Sequence, residues 1–299
     1  MTPAPDTALA GRLLPWFAAY ARDLPWRHAD VTGWGVLVSE IMLQQTPVAR
    51  VEPIWHEWMQ RWPRPSDLAA APTAEVLRAW GKLGYPRRAL RLQAAAAVVA
   101  SEHGDAVPAD VEVLLALPGI GAYTARAVAA FAYGRRCPVV DTNVRRVVAR
   151  AVHGRAEAGD ASPRDLPETE ALLPLDDTAA ARTSAALMEL GATVCVARGP
   201  RCADCPVVDL CAWQHAGRPA HDGPPRKAQR WAGTDRQVRG RLLDVLRAAP
   251  GPVGAPALEA AWLTDPAQRA RCLDSLLVDG LVEQLADGRF ALPGETVPG

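Results

Sequence analysis

The chain lacks several features that would each have given it a simple assignment. No run of about eighteen apolar residues occurs in its 299, so no membrane-spanning helix is expected. The start, MTPAPDTALAGRLLPW, has neither a basic opening nor an apolar signal core, and a cytoplasmic protein is expected. Net charge is missing too. Its 33 basic side chains meet 33 acidic ones, which excludes a globally basic nucleic-acid binder but not a locally basic one. Strand signals are scarce while helical spacing recurs throughout, so the expected fold class is all-α. A cytosolic setting argues against disulfides among the six cysteines.

Local charge is present where net charge is not. Between Arg78 and Arg91 stand five basic residues (Arg78, Lys82, Arg87, Arg88, Arg91) and no acid; from Arg126 to Arg150 six arginines face one aspartate. Basic stripes are usually solvated helix faces. These two, however, flank the segment LPGIGAYTA at 117–125, where proline and two glycines force a sharp turn between apolar runs. A helix, a four-residue turn and a second helix leave backbone N–H groups unpaired, and glycines let an anion approach them. The plain alternative is a tight turn in a helical hairpin.

Periodicity organises the rest. One helix should end near Leu43 and another begin at Pro47, capped by Thr46, with Gln44 and Gln45 at the joint. Trp55, Trp58 and Trp62 form an i, i+3, i+7 stripe that reads as core. Further helices are expected at roughly 74–82, 87–101, 111–117, 122–132 and 178–195, and PVVD (138–141) leads into another, TNVRRVVARAV. Residues 214–234 read as a Pro/Gly/basic linker. In 235–299, helices near 236–248, 256–263 and 266–279 precede LVEQLADGRFAL, whose Asp287-Gly288 suits a hairpin turn, giving a small winged-helix-like module. Its seven arginines against nine acids speak against gripping a phosphate backbone, so a packing or protein-contact role is at least as well supported.

Two groups carry candidate chemistry. Cysteines at 195, 202, 205 and 211 follow a C-x6-C-x2-C-x5-C spacing, which suits one tetrahedral zinc ion or an iron–sulfur cluster. Cys137 and Cys272 stand apart and read as core. Glu40 sits among Leu37, Val38, Ile41, Met42 and Leu43, company that should raise its pKa and keep it protonated near neutrality, as a general acid requires. An ordinary solvent-facing helix glutamate is the bland alternative.

Together, LPWR (24–27), SEIMLQQT (39–46), LGY (83–85), PGIGAYTA, VVDTN and the cysteine spacing resemble the adenine DNA glycosylases of the MutY type, helix–hairpin–helix enzymes related to endonuclease III. The likeness runs over most of residues 20–213. It implies a two-lobed catalytic region at 1–213: a six-helix lobe at about 30–136, and a cluster lobe formed by the N-terminal helix and about 137–213. It also implies a 4Fe–4S cluster on Cys195, Cys202, Cys205 and Cys211, with Arg198 and Arg201 in the first cluster loop presented to DNA. The hairpin, through Gly119 and Gly121, would hold a DNA phosphate and a monovalent cation.

By the same resemblance Glu40 protonates adenine, Asp141 stabilises the sugar cation, and Tyr123 and Asn143 orient both. Asp141 reads equally as the N-cap of the next helix. Endonuclease III-like enzymes carry a nucleophilic lysine where this chain has Tyr123, so a monofunctional hydrolase is expected. Gln45 and Tyr85 would wedge into the duplex as the adenine flips out, with Arg87 beside them. Arg22, Trp26 and Arg27 would line the adenine pocket, although Trp26 also suits a core position. The implied substrate is double-stranded DNA holding A·8-oxoguanine or A·G mispairs, bound by a monomer in the nucleoid, with no membrane partner. A thymine glycosylase acting on G·T, or a catalytically silent DNA binder, are the alternatives.

The sequence also departs from that pattern. Thr142 stands for the usual glycine, Pro86 follows Tyr85 where a second tyrosine is common, and Ser184-Ala185 replaces a polar pair ahead of ELGA. No Nudix-like domain fits after residue 213. Recognition of 8-oxoguanine must then rest on Gln45, Tyr85 and Arg87 or on the C-terminal module.

Overall fold

Helical spacing resolves into helices with definable ends. The computed structural model describes residues 5–221, 223 and 231–296; residues 222 and 224–230 of the expected linker lie outside them. In chain order the helices are α1 (Pro5–Tyr20), α2 (Gly33–Leu43), α3 (Val48–Arg61), α4 (Pro65–Ala70), α5 (Thr73–Trp80), α6 (Arg87–Glu102), α7 (Val111–Ala116) and α8 (Ala122–Tyr133). Then follow α9 (Thr142–Ala151), α10 (Asp165–Glu170), α11 (Asp177–Thr193), α12 (Ala212–His215), α13 (Asp235–Ala248), α14 (Ala255–Ala261) and α15 (Pro266–Val278). The chain ends in the strands β1 (Glu283–Gln284) and β2 (Phe290–Ala291). The fold is all-α apart from that hairpin.

Two units form. One comprises Met1–Glu40, Val107–Ala116 and Ile120–Pro224, the other Ile41–Ala106, Leu117–Gly119 and Pro225–Gly299. In the first, α9 presents Val144, Val147, Val148 and Ala151 at i, i+3, i+4, i+7 to Ala186, Leu187, Leu190 and Val194 of α11, with Leu9 and Leu13 of α1 closing the cluster. Each buried valine or leucine among them contributes about 1.5–3 kcal/mol. Gly191 permits the close approach of α11 to α9, since a Cβ there would lie 2.7 Å from Cβ and carbonyl oxygen of Asn143.

In the second unit Trp55, Trp58 and Trp62 are buried, with Trp58 edge-on to both Trp62 and Trp80. One detail overturns the sequence expectation. Pro47, not Thr46, is the N-cap of α3. The Thr46 hydroxyl is buried instead, donating to the Leu83 carbonyl (3.1 Å) and accepting from Arg88 Nη2 (3.2 Å), because the carbonyls of the 83–84 loop need donors. The C-terminal residues of this unit pack α13 against α5, α14 and α15. β1 and β2 pair antiparallel around Gly288 (φ +82°), and Val253 bridges Phe290, which completes a winged-helix arrangement.

The basic stripes are not free faces. Arg88 is buried, and Arg78 bonds the carbonyls of Arg247 and Ala249 as well as Glu295. In the second stripe Arg136 holds Glu170, Arg145 holds Asp165, Arg146 bonds the Cys195 and Gly191 carbonyls, and Arg150 is buried. Much of the charge read as an electrostatic surface is therefore spent on internal carbonyls and carboxylates.

Candidate active site

The carboxyl groups named from the sequence come together through three elements. Glu40 lies near the end of α2, a helix so apolar that its flanks bury the carboxyl almost completely. Tyr123 stands in the first turn of α8, and its hydroxyl is hydrogen-bonded to Glu40. Asp141 caps α9, accepting from Val144 N (2.7 Å) with one oxygen and from Asn143 Nδ2 (2.7 Å) with the other. Arg146 Nη2 in turn fixes the Asn143 amide by donating to Oδ1 (2.7 Å).

The electrostatics separate the two acids. Burial raises Glu40 to about 7; the Tyr123 hydrogen bond opposes the rise, the charge of Asp141 adds to it, and Arg27 opposes it. Burial also raises Asp141, but the Val144 and Asn143 hydrogen bonds and the Arg146 charge counter it. The Tyr123 phenol is pushed well above its ordinary range by burial and by both carboxyls, so it remains a donor. The site thus sets a carboxyl that titrates near neutrality beside a second whose rise is held back by hydrogen-bond donors.

Arg27 lies close enough for its charge to act on Glu40, and Arg22 joins it through a carboxylate of α11. Glu189, fully buried on α11, receives Arg22 Nε (2.7 Å), Arg22 Nη2 (2.9 Å) and Arg27 Nη2 (2.9 Å). Trp26 is buried in the short turn of 3-10 helix Pro25–Arg27. The available signal was a lone carboxylate inside the apolar run ALMELGA, which calls for a buried cationic partner. Ser184 is also buried, donating to the Cys137 carbonyl (2.9 Å).

The hairpin glycines have different reasons. Gly119 has φ +74°, and a Cβ there would sit 2.6 Å from Arg91 Cβ. Gly121 is the N-cap of α8 at φ −95°, and a Cβ would meet nothing within 4 Å. That leaves the first N–H groups of α8 approachable by an anion.

Gln45 and Tyr85 both adopt left-handed backbone, at φ +55° and +45°. Both are exposed, and Arg87 pairs with Asp279 (3.1 Å).

Cys195, Cys202, Cys205 and Cys211 line one pocket with Arg150 and Trp213. Among the described residues the thiols do not close to the distances that hold a single ion. Burial, with the other three thiols nearby, pushes Cys205 up to about 11. Arg150 supplies opposing charge, donating to Cys195 Sγ (3.4 Å) and stacking over Trp213. Four sulfurs spaced around a pocket, backed by a guanidinium, fit a multi-atom iron–sulfur cluster. Of the loop arginines, Arg198 is exposed, and Arg201 is tied to the Thr193 carbonyl.

This hairpin, capped helix and carboxyl pair on an all-α fold define a helix–hairpin–helix DNA glycosylase, and a family model for "HhH-GPD superfamily base excision DNA repair protein" matches residues 38–165. An adenine DNA glycosylase of Mycolicibacterium smegmatis is 66% identical over 283 residues, 95% of each chain. One of Mycobacterium tuberculosis is 65% identical over 284 residues, 95% of this chain and 93% of its own. A solved thermostable thymine-DNA glycosylase, 27% identical, superposes with a TM-score of 0.64 over 71% of this chain and 97% of its own. The chain belongs to the adenine DNA glycosylase family. It is an enzyme of base excision repair. Among its described residues no helix is long and apolar enough to cross a membrane.

Proposed function

We propose that the protein hydrolyses the N-glycosidic bond of adenine mispaired with 8-oxoguanine or guanine, acting as a monomer on nucleoid DNA and without cutting the strand. The observation that carries this reading is Glu40, buried, titrating near 7 and hydrogen-bonded to Tyr123 beside Asp141. In the reaction Glu40 gives its proton to N7 of an adenine flipped from the stack. The C1′–N9 bond breaks, its electron pair leaves with the base, and ionised Asp141 stabilises the oxocarbenium ion. Water then adds to C1′ and its proton returns to a carboxylate. Asn143, locked by Arg146, orients Asp141; Tyr123 holds Glu40 and offers no amine for a Schiff base.

Glu189 supports an assignment of Arg22, Trp26 and Arg27 to the adenine pocket by fixing both guanidiniums. Gly119 and Gly121 shape the phosphate-binding hairpin, which would also hold a monovalent cation. Gln45 and Tyr85 enter the duplex, and Arg87, Arg198 and Arg201 face DNA. Cys195, Cys202, Cys205 and Cys211 would hold a 4Fe–4S cluster, which when bound supplies a rigid cross-link within the 195–211 loop.

Duplexes carrying A·8-oxoguanine, A·G and T·G test the reading. Adenine release from the first two is expected. Release of thymine alone would overturn it. Metal analysis should find iron and sulfide with broad visible absorption; zinc alone would remove the cluster.

A further inference from the structure

The chain beyond Cys211 does not leave the cysteine pocket at once. α12 starts at the next residue, and Trp213 within it is buried and lines the same wall as the four thiols. Its indole Nε1 donates to the Pro219 carbonyl (2.8 Å), while its own carbonyl accepts from Arg218 N (2.8 Å). Residues 213–219 thus close a short loop on the indole, although the composition of 214–234 reads as linker. Arg218 has left-handed backbone, φ +59°, which a non-glycine residue adopts where local contacts hold it. Its guanidinium carbon lies 5.3 Å from the centre of the Trp213 ring.

Arg150 reaches the same indole from α9, at 4.9 Å. Its guanidinium donates to Cys195 Sγ (3.4 Å) and to the carbonyls of Ala156 (2.9 Å), Val196 (2.8 Å) and Ala197 (3.3 Å). The Arg150 carbonyl lies 3.6 Å from Cys211 Sγ, so one residue touches the first and the last cysteine of the set. The rest of the wall is Val194, Val208, Trp213 and Gln214, which leaves Arg150 as its charged side chain among the described residues. A guanidinium does not lose its proton in a protein, so that charge is fixed. Charge and hydrogen bonds at the sulfurs, together with the water admitted to them, set the potential of an iron–sulfur site.

Resting on the cluster reading above, we propose that Trp213, Arg150 and Arg218 form a cover over the cluster, keeping water and small oxidants from its sulfurs. Trp213 is the lid. Arg218 and the Pro219 carbonyl hold the lid down from the exposed side. Arg150 holds it from the buried side and supplies the positive charge that favours electrons on the adjacent thiolate. The segment after Cys211 is on this account part of the cluster site, and the linker begins beyond it.

The test uses the full iron-loaded chain with Trp213→Ala, Trp213→Phe, Arg218→Ala, Arg150→Met and Arg150→Lys made singly, with circular dichroism and melting run alongside. Loss of the visible absorption band is timed in hydrogen peroxide, a neutral oxidant whose approach does not depend on the arginine charges. Reduction potentials are measured on the DNA-bound proteins. Trp213→Ala and Arg218→Ala should bleach roughly threefold faster or more, and Trp213→Phe should stay near wild type. Arg150→Met should show a lower potential than wild type, and Arg150→Lys, which keeps the charge, should recover most of the difference. Folded, iron-loaded Trp213→Ala and Arg218→Ala proteins that bleach at the wild-type rate would overturn the cover, whatever becomes of the buried Arg150 variants. Bleaching that merely follows the melting temperature across the series, Trp213→Phe included, would overturn it too. A wild-type chain holding zinc alone, or no iron and sulfide, would instead remove the cluster reading beneath it.

Discussion

Tyr123 holds Glu40 through a hydrogen bond that lowers the pKa of a carboxyl otherwise raised by burial. In the proposed reaction the tyrosine would tune the acid without touching the bond that breaks. Replacing it with phenylalanine removes the donor and keeps the ring. Glu40 should then titrate above its present value of about 7, and the descending limb of the pH–rate profile should move to higher pH. Single-turnover adenine release measured across pH 5 to about 9 checks this. An unmoved limb with an unchanged rate would mean that Tyr123 does not set the protonation of the acid.

Glu40 also gives folding a pH dependence of definite sign. Its pKa rises from 4.5 in a free chain to about 7 in the fold, so the folded protein binds its proton more tightly. The stabilising contribution is complete below pH 4.5 and lost as pH climbs through 7. Above that range the buried carboxylate costs about 3 kcal/mol, by the pKa difference. Glu40→Gln should therefore abolish adenine release yet melt higher than wild type at about pH 8, with no such gain at about pH 5. Melting curves of both proteins at the two pH values decide it. An identical difference at both would show that the carboxyl is not desolvated.

Legibility followed the range of the interaction. The helix α9 was readable because Val144, Val147, Val148 and Ala151 repeat at helical spacing and Asp141 precedes them as a cap. Glu40, Tyr123, Asp141 and Asn143 were likewise named from short motifs, and the fold brings them together. What failed depended on partners remote in sequence. Thr46 has the chemistry of an N-cap, but its hydroxyl is claimed by Leu83, 37 residues away. Arg88 and Arg150 looked like solvated cations because nothing nearby in sequence announces the carbonyls they bind. Glu189 gives no local sign of its role, because both arginines it holds are more than 160 residues away. Charge counted along the chain hid the same thing in the C-terminal module, where α13 gathers arginines onto one pocket.

The two hairpin glycines separate folding from binding. Gly119→Ala places a Cβ in left-handed backbone against Arg91 and should destabilise the fold by about 1–3 kcal/mol. Gly121→Ala meets open space, so its stability loss should stay under about 1 kcal/mol, the difference between glycine and alanine at an N-cap. If the open space is where a phosphate docks, the second variant should still lose DNA affinity. Denaturant melts and duplex titrations on the two proteins check both halves. A Gly121→Ala protein with wild-type affinity would show that no phosphate comes that close.

Arg88 supports the most exposed part of the proposed interface from beneath. Its guanidinium donates to the carbonyls of Ile41 (2.7 Å) and Met42 (3.1 Å) in the last turn of α2, of Gln44 (2.7 Å) in the loop after it, and of Leu83 (3.2 Å) and Gly84 (3.0 Å) in the second loop. Those loops carry Gln45 and Tyr85, and one buried cation thereby holds both in left-handed backbone. Burial lowers Arg88 only to about 10, so it stays charged at neutral pH. Arg88→Met would leave several buried carbonyls without donors and should cost about 3 kcal/mol or more. Arg88→Lys keeps the charge but reaches fewer acceptors, and its loss should be smaller. The effect should be local before it is global: amide hydrogen exchange should quicken at 44–46 and 83–86 in Arg88→Lys under conditions where α9 and α11 remain protected. Uniform quickening throughout the chain would make Arg88 a general contributor to stability and not the clamp that sets Gln45 and Tyr85.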